Sequence, residues 1–289
     1  MSSPITDLEL ACGLVFGVDR RLAPLPAIPA SLTPLKAIEA ALLPALRRAP
    51  CLVSFSGGRD SAAVLAVATA LARREGLPDP IPATNRFREV PTSDEDEWQE
   101  LLIAHLGIKE WLHLDFTDEL DVVGPFARRA LRRHGLLWPC NAHFHLPLLE
   151  AAAGGALITG VGGDELFMAT TRSRAYGVLA GLERPRMRDV LTVGLAVAPR
   201  PVRQRVHARR IMVPFGWLRP PARRALVRAV AMEDAREPIS PPSRLRFLQG
   251  SRSLRIATAS LAALAADHDV LIGHALAAAE VAAAVARFA

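Results

Sequence analysis

Cys51-Leu52-Val53-Ser54-Phe55-Ser56-Gly57-Gly58-Arg59-Asp60-Ser61 is the stretch from which the fold of this 289-residue chain is predicted. Its apolar beginning predicts a buried strand. The run from Ala62 to Glu75 predicts a helix, because Arg73 and Arg74 followed by Gly76 are typical of a helix end. The stretch is therefore predicted to form a strand, a glycine turn and the beginning of a helix.

The turn between this strand and this helix has the residue types of a phosphate-binding loop. Its two glycines let the backbone approach a ligand closely, and the free N–H groups at a helix start attract an anion. Ser56 and Ser61 add hydroxyl donors, and Asp60 supplies an oxygen ligand that suits Mg²⁺. The Walker pattern is excluded, because it needs a lysine directly before its Ser or Thr. An ordinary strand-to-helix turn of small residues is the alternative interpretation.

A second glycine turn follows another apolar segment, in Ala156-Leu157-Ile158-Thr159-Gly160-Val161-Gly162-Gly163-Asp164-Glu165-Leu166-Phe167. Turns that follow parallel strands lie at the same edge of a sheet. We therefore expect Asp164 to join Asp60 on one Mg²⁺ ion that bridges nucleotide phosphates. Taken by itself, this stretch also suits a tight turn with no ligand.

The other elements predict an α/β fold with a parallel sheet. Strands are predicted at Ile81–Asn85 and Trp111–Asp115, and helices alternate with them. One of these helices is expected to begin with a cap at Thr92–Asp96. We expect a parallel sheet flanked by helices, with an α-helical C-terminal extension. The expected organisation is an N-terminal segment at residues 1–33, an α/β nucleotide-binding core at 34–180, and a helical part packing on the core at 181–289.

Composition narrows the classes of protein that the chain can belong to. Hydrophobic residues make up 51% of it, which is ample for a core, and no signal-peptide pattern begins it. The alanine-rich tail from Val270 to Ala289 is interrupted by His274, Glu280 and Arg287, so we expect a packed amphipathic helix and no membrane span. Three widely spaced cysteines fit reduced thiols in the cytoplasm.

The basic charge of the chain gives little support to nucleic-acid binding. The formal net charge is +6, but Lys36 and Lys109 are the only lysines among 35 basic residues. Such a bias toward arginine can arise from genome composition as readily as from selection for a nucleic-acid partner. No aromatic platform or reader motif accompanies the arginines, so nucleic acid is not expected as a partner.

The two glycine motifs together resemble one enzyme family. Ser56-Gly57-Gly58-Arg59-Asp60-Ser61 after a strand resembles the PP-loop of the ATP pyrophosphatases. With Gly160-Val161-Gly162-Gly163-Asp164-Glu165-Leu166-Phe167, the chain is similar to the synthetase domain of the asparagine synthetase family, from about Leu35 to Phe167. That family includes β-lactam synthetases and lasso-peptide cyclases. The resemblance implies a Rossmann-like PP-loop fold of the adenine nucleotide alpha-hydrolase type.

The resemblance also implies an activity and a site. ATP would activate a carboxylate as an acyl-adenylate with loss of pyrophosphate, and ammonia or an amine would then displace AMP. Mg²⁺ would be held by Asp60 and Asp164. The residues implied to bind ATP and pyrophosphate are Ser54, Ser56, Gly57, Gly58, Asp60, Ser61, Gly160, Gly162 and Gly163. No catalytic residue is assigned.

The chain departs from the family pattern at positions that matter for catalysis. Valine stands at position 161, where the family often has an acidic group within Gly-Glu-Gly. The family's Glu-x-Arg-x-Pro-Phe-Leu-Asp helix start aligns best through Asp267-His268, which puts Ser260 and Ala262 at the Glu and Arg positions. A family lysine lies further on, but no lysine follows Lys109.

Three functions follow as hypotheses. The first is an ATP- and Mg²⁺-dependent ligase of asparagine or related amino-acid biosynthesis, acting on aspartate or an analogue without a glutaminase domain. The second is an ATP-binding but catalytically impaired homologue that serves a partner or regulatory role. Whichever of these holds, a separate glutaminase or a completing subunit is a further expected partner. The third is a PP-loop enzyme that modifies tRNA, although the reactive cysteine pair of such enzymes is missing.

Overall fold

The computed structural model describes residues 5–17, 25–87, 90, 96–167, 171–212, 215–234 and 250–288. Within them, five parallel strands form one sheet in the order β3-β2-β1-β4-β5. The strands are β1 (Cys51–Ser54), β2 (Ile81–Phe87), β3 (Leu112–Phe116), β4 (Ala156–Ile158) and β5 (Leu271–Gly273). The predicted parallel α/β fold is confirmed, as are the strands predicted from the two motifs and from residues 81–85 and 111–115.

The two motif strands are neighbours at the centre of the sheet. Leu52 pairs with Leu157 and Val53 pairs with Ile158, and these four side chains are almost fully buried. Strands buried on both faces are apolar throughout rather than alternating. This burial explains why short apolar runs, and not a period of two, mark both strands in the sequence.

Helices cover both faces of the sheet. Their bounds are α2 (Pro34–Leu46), α3 (Arg59–Arg74), α4 (Asp96–Leu106), α5 (Pro125–His134), α6 (Leu146–Ala151), α7 (Gly163–Phe167) and α12 (Arg252–Ala266). Helix α2 packs against α3, β4 and β5. A core cluster on the sheet joins Leu52 and Leu157 to Leu149, Leu261 and Leu264 of the helices. The sheet is therefore a rigid platform for the loops at its edge.

The ends of α2 and α3 follow the capping rules. Thr33 accepts a hydrogen bond from the Lys36 N–H at 3.3 Å, and Pro34 occupies the first turn of α2. Helix α3 ends in Arg73 and Arg74, and Gly76 has a positive φ of 68°, as the sequence predicts. The cap predicted at Thr92–Asp96 falls mostly outside the described residues.

The C-terminal region differs from its prediction. Residues 270–289 were expected to be one helix, but Leu271–Gly273 form β5 and Ala275–Ala277 form a 3₁₀ turn. Helix α13 then occupies Ala279–Phe288. The expectation failed because a three-residue strand is too short to show a periodicity, and its alanine-rich surroundings have high helix propensity. This strand extends the sheet beyond β4.

The contacts divide the chain into two compact units. Unit 2 comprises residues 26–166 and 256–285 and contains the sheet. Unit 1 comprises residues 1–25, 167–255 and 286–289, and its helices are α1 (Asp7–Cys12), α8 (Thr171–Leu179), α9 (Asp189–Val197), α10 (Arg200–Met212) and α11 (Pro220–Asp234). The three segments expected from the sequence remain a prediction.

Arg174 and Arg252 each form ion pairs within unit 1. Arg174 binds Asp189 through two hydrogen bonds of 2.7 Å. Arg252 binds the buried carboxylate of Glu9, which also accepts the Phe16 N–H at 2.9 Å. Burial would raise the pKa of Glu9, but hydrogen bonds from Arg252, Thr6 and Phe16 lower it to about 2.

None of the helices in the described part of the chain combines the length and the apolar character that a bilayer crossing requires.

Candidate functional site

The two glycine turns leave the sheet at its topological switch point. From β1 the chain crosses to β2 on one side, whereas β5 adds to β4 on the other side. In an open α/β sheet, the crevice between such strands at their carboxyl ends is the usual ligand site. The loop after β1 and the loop after β4 lie on either side of this crevice.

The first loop, Phe55–Gly58, is braced by its own serines. The Ser61 hydroxyl donates to the Gly58 carbonyl at 3.0 Å and lies 3.2 Å from the Ser56 hydroxyl. The Ser56 N–H donates to the Ser61 hydroxyl at 3.3 Å. Gly57 has a φ of 88°, which an L side chain rarely adopts. These contacts tie the turn to Ser61 in the first turn of α3 and bring the two hydroxyl groups together.

Helix α3 begins directly after this loop, at Arg59. The first-turn N–H groups of a helix have no intrahelical acceptor and carry partial positive charge. Gly58 offers no side-chain cap to them. Together with the Ser56 hydroxyl, they form a cradle that suits a phosphate group.

The second loop, Thr159–Gly163, packs directly on the beginning of α3. A Cβ atom at Gly160 would lie 3.2 Å from the backbone nitrogen of Ser61. A Cβ atom at Gly163 would lie 2.2 Å from Cγ of Asp60, well inside van der Waals contact. The contact between the two loops thus leaves no room for a side chain at Gly163 unless Asp60 moves, it leaves little room at Gly160, and the carboxylate of Asp60 lies against the first turn of α7.

The acidic side chains at this contact repel one another. Burial, and then the negative charge of Asp164, raise the pKa of Asp60. Burial is also the main cause that raises the pKa of Glu165, with smaller effects of Asp164 and Asp60. A cation between Asp60 and Asp164 would relieve this repulsion.

The carboxylate pair suits one kind of metal ion. Among the described residues, no group of three or more His, Cys, Asp or Glu side chains is arranged to hold a metal. Mg²⁺ is commonly bound by one or two carboxylates together with substrate phosphates and water. The donor set of Asp60 and Asp164 beside a phosphate cradle therefore fits Mg²⁺ brought with a nucleotide, and not a metal held by protein alone.

The sequence analysis missed a third wall of the site, which follows β5. The Thr159 hydroxyl lies 2.7 Å from Nδ1 of His274, and the Thr159 N–H donates to the Gly273 carbonyl at 2.9 Å. A Cβ atom at Gly162, whose φ is 99°, would lie 2.6 Å from the Ala277 nitrogen. Burial, and then the charge of His145, lower the pKa of His274 to about 4, so this ring is neutral at pH 7. In the sequence, this wall is indicated by the polar residues Thr159 and His274, which directly follow the apolar segments of β4 and β5.

A cavity of about 250 Å³ opens beside the first loop, between the carboxyl ends of β1 and β2. Ser54 and Ser56, both predicted to bind nucleotide, contribute to its lining. Its other polar residues were not identified from the sequence, and they include Thr84, Asn85, Gln99, Asn141 and His145. They form no sequence motif, because they come from β2, from α4 and from the segment around the 3₁₀ turn Ala142–His145.

Val161, Ser260 and Asp267, which the sequence analysis compared with the family pattern, each make contacts within the fold. Val161 packs against the core cluster. The alignment through Asp267-His268 is wrong, because these residues follow the last turn of α12 and do not begin a helix. There the Asp267 carboxylate binds His134 at 2.8 Å and Arg133 at 2.6 Å. Ser260, in α12, accepts the Trp138 N–H at 3.1 Å.

Comparison with known proteins agrees with this geometry. No curated protein matches the chain. A family model described as asparagine synthase matches residues 38–282, which is well over half of the chain and includes both glycine loops and β5. The chain therefore belongs to the asparagine synthase family.

Proposed function

We propose that the chain is an ATP- and Mg²⁺-dependent carbon–nitrogen ligase that forms AMP. Members of the asparagine synthase family are synthetases that use ATP. The observation that carries the proposal is the contact of the two loops, with the Asp60 carboxylate against Gly163 and near Asp164. This contact provides the carboxylates for a metal ion and the N–H donors for phosphate in one place.

The phosphate end of the nucleotide would be held by the first loop. The N–H groups that begin α3 and the Ser56 hydroxyl are the donors for the β- and γ-phosphates, and the Ser61 hydroxyl would join them by turning away from the Gly58 carbonyl. Asp60 and Asp164 would hold Mg²⁺, which neutralises charge that develops on the pyrophosphate. Gly160 and Gly163 let the second loop approach Ser61 and Asp60 closely, and Gly162 lets it approach Ala277.

The reaction has two displacement steps, and each forms one bond and breaks another. A carboxylate oxygen of the acid substrate attacks the α-phosphorus, the bond from that phosphorus to the β-phosphate oxygen breaks, and pyrophosphate leaves. The nitrogen of ammonia or an amine then attacks the acyl carbon, the carbon–oxygen bond to AMP breaks, and a proton is lost from the nitrogen. Backbone donors aimed at the leaving pyrophosphate act without reorganisation, which is the main way such a site accelerates the first step.

The proposed reaction needs a carboxylate substrate and a nitrogen nucleophile. We propose aspartate or an analogue as the carboxylate, and ammonia or another amine as the nucleophile. A separate glutaminase is the partner that would supply ammonia. The free thiols of Cys12, Cys51 and Cys140 agree with a cytoplasmic location.

A specific observation favours a second candidate function, that of an ATP-binding partner or regulatory subunit. Val161 takes the place of an acidic group and packs in the core, and no lysine follows Lys109. An arginine does not reproduce the compact charge of a lysine. The cradle for ATP is thus retained, whereas a group that receives the proton of the amine is not identified.

Exchange of labelled pyrophosphate into ATP separates the two candidates. Incubation with Mg²⁺ and a panel of amino acids and small acids should give exchange that depends on one added carboxylate, because adenylation is reversible. The variant Asp164→Asn should abolish the exchange, while Asp118→Asn, an exposed aspartate far along the chain from both loops, should retain it. ATP binding without exchange on any acid would overturn the ligase proposal and leave the partner role.

A further inference from the structure

The outer face of α9 in unit 1 is apolar and open to solvent. Met187, just before the helix, is 91% exposed, Leu191 is 84% exposed, and Val190 and Val197 are exposed as well. A Cβ atom added at Gly194 would meet no atom within 4 Å. These positions recur every three or four residues, so they lie on one side of the helix, which we name the α9 face.

The opposite side of α9 attaches the helix to the rest of unit 1. Helix α9 contacts α8 and α10, and its residue Val193 is half-buried. Asp189 is buried and binds Arg174 of α8 through two hydrogen bonds of 2.7 Å. A helix that is apolar on its outer side as well as its inner side is normally covered all round, by protein or by lipid. The α9 face is therefore expected to have a partner.

The chain that leads into α9 is basic, and its acidic residues are already paired. Glu183 and Asp189, the two acidic residues between positions 180 and 199, both bind Arg174. Positive side chains at this end do not stabilise the helix, because the N-terminal end of a helix is itself positive. Three exposed arginines nevertheless precede it, namely Arg184, Arg186 and Arg188. Their charge is available to an anionic partner.

The combination of apolar and basic side chains decides between the possible partners. A second copy of this chain would bring the same positive charge to the contact, because a two-fold interface uses the same patch twice. A nucleic acid would neutralise the arginines but would leave Met187 and Leu191 in water. The surface of an anionic bilayer offers head groups to the arginines and acyl chains to the apolar side chains.

We infer that the α9 face binds the surface of membranes that contain anionic lipids. With nine residues, α9 is far shorter than the roughly 20 residues that cross a bilayer, so it lies along the interface. Met187 and Leu191 enter the acyl boundary, and the arginines before the helix contact phosphate and carboxylate head groups. This binding goes beyond the proposed function, because it uses neither the glycine loops nor ATP.

Flotation of the full-length protein with lipid vesicles tests the apolar part of this surface. The protein should bind vesicles of mixed phosphatidylcholine and phosphatidylserine, and it should bind phosphatidylcholine alone much more weakly. Leu191→Glu should lower binding to the mixed vesicles by about 10-fold or more, because it replaces an inserted leucine with a charge that the head groups repel. The matched control is Leu131→Glu, which makes the same change at an exposed leucine of α5 and should bind as the unaltered protein does.

A second variant tests the basic part. Arg184 and Arg186 contribute only backbone atoms to hydrogen bonds in the described part of the chain, so their replacement leaves those bonds in place. Arg184→Gln combined with Arg186→Gln should lower binding to the mixed vesicles by about 10-fold and change binding to phosphatidylcholine little. Added salt should weaken the binding of the unaltered protein to the mixed vesicles.

Three results would overturn the inference. The first is a failure of the unaltered protein to bind the mixed vesicles. The second is an equal loss of binding in Leu191→Glu and Leu131→Glu, which would reduce the effect to the general attraction of a basic protein. The third is self-association that Leu191→Glu abolishes without any vesicle binding, which would assign the α9 face to a second copy. The exchange of pyrophosphate into ATP, measured without lipid, tests the proposed function independently of all three.

Discussion

At the residue scale, Asp60 carries a charge that destabilises the ligand-free protein and that suits a bound cation. Its carboxylate lies against Gly163 and near Asp164, and burial with this like charge raises its pKa. The ionised form is therefore disfavoured in the folded protein unless a cation is bound. Because strand–glycine–acid patterns are local, the sequence alone predicts that Asp60 and Asp164 lie close together, and the charge of Asp164 does act on Asp60. It did not identify Asn85 or Gln99, which packing between separate elements brings to the lining of one cavity.

Replacement of Asp60 by asparagine should make the ligand-free protein more stable and inactive. The gain arises from removal of a disfavoured charge, so it should be largest at neutral pH. It should disappear below the ordinary aspartate pKa of 3.8, where Asp60 itself is protonated. Melting temperatures of Asp60→Asn and of the control Asp118→Asn between about pH 3 and pH 8 would test this. A lower melting temperature for Asp60→Asn at neutral pH would contradict it.

Gly163→Ala should weaken nucleotide binding by displacing the Asp60 carboxylate. The added Cβ would lie 2.2 Å from Cγ of Asp60, and overpacking of this kind costs about 1–3 kcal/mol. ATP affinity with Mg²⁺ should fall by at least about 10-fold. Gly194→Ala is the matched control, because no atom lies within 4 Å of its added Cβ, and helix propensity predicts a gain of up to about 1 kcal/mol. Equal ATP affinity in both variants would show that the contact between Gly163 and Asp60 does not affect ATP binding.

At the scale of elements, β5 joins the site to the C-terminal region. Its three residues pair with β4, and His274 directly after it meets Thr159 at the end of β4. Sequence analysis found the four other strands because each precedes a turn or has a recognisable apolar run. It assigned residues 270–289 to one helix, because pairing with β4 and not a local pattern makes this segment a strand.

Thr159→Val should destabilise the protein, because it removes the hydrogen bond to Nδ1 of the half-buried His274. The expected loss in the free energy of unfolding is about 1–3 kcal/mol, measured by urea denaturation. Thr69→Val is the matched control, since Thr69 is equally buried and its hydroxyl has no partner in the described part of the chain. That variant should be neutral or slightly more stable. A larger loss in the free energy of unfolding for Thr69→Val than for Thr159→Val would refute this account of Thr159.

On the scale of the whole molecule, the chain forms two compact units, and unit 1 joins distant parts of the sequence. Glu9 and Arg252 are 243 residues apart, yet they form a buried ion pair in that unit. No local pattern predicts such a pair, because opposite charges at this distance have many possible partners. The parallel sheet and the family were predictable, since the two motifs define them without long-range pairing.

Glu9→Gln should destabilise the protein by about 3 kcal/mol at neutral pH, as expected for breaking a buried ion pair. Because the folded-state pKa of Glu9 is lowered to about 2 from 4.5, its stabilisation is present above pH 4.5 and is lost as the pH falls toward 2. The difference from the unaltered protein, measured by urea denaturation, should shrink across this window. Glu110→Gln, an exposed glutamate, serves as the control. A difference that does not change with pH would argue against the ion pair.

The products formed from ATP test the central claim most directly. With Mg²⁺, a carboxylate substrate and an amine, the protein should release AMP and pyrophosphate in equal amounts, and release should stop when the carboxylate is omitted. Asp60→Ala should release neither, because it removes a ligand of the metal ion. Release of ADP and phosphate, or ATP binding with no cleavage on any carboxylate, would contradict the assignment of this site to acyl-adenylate formation.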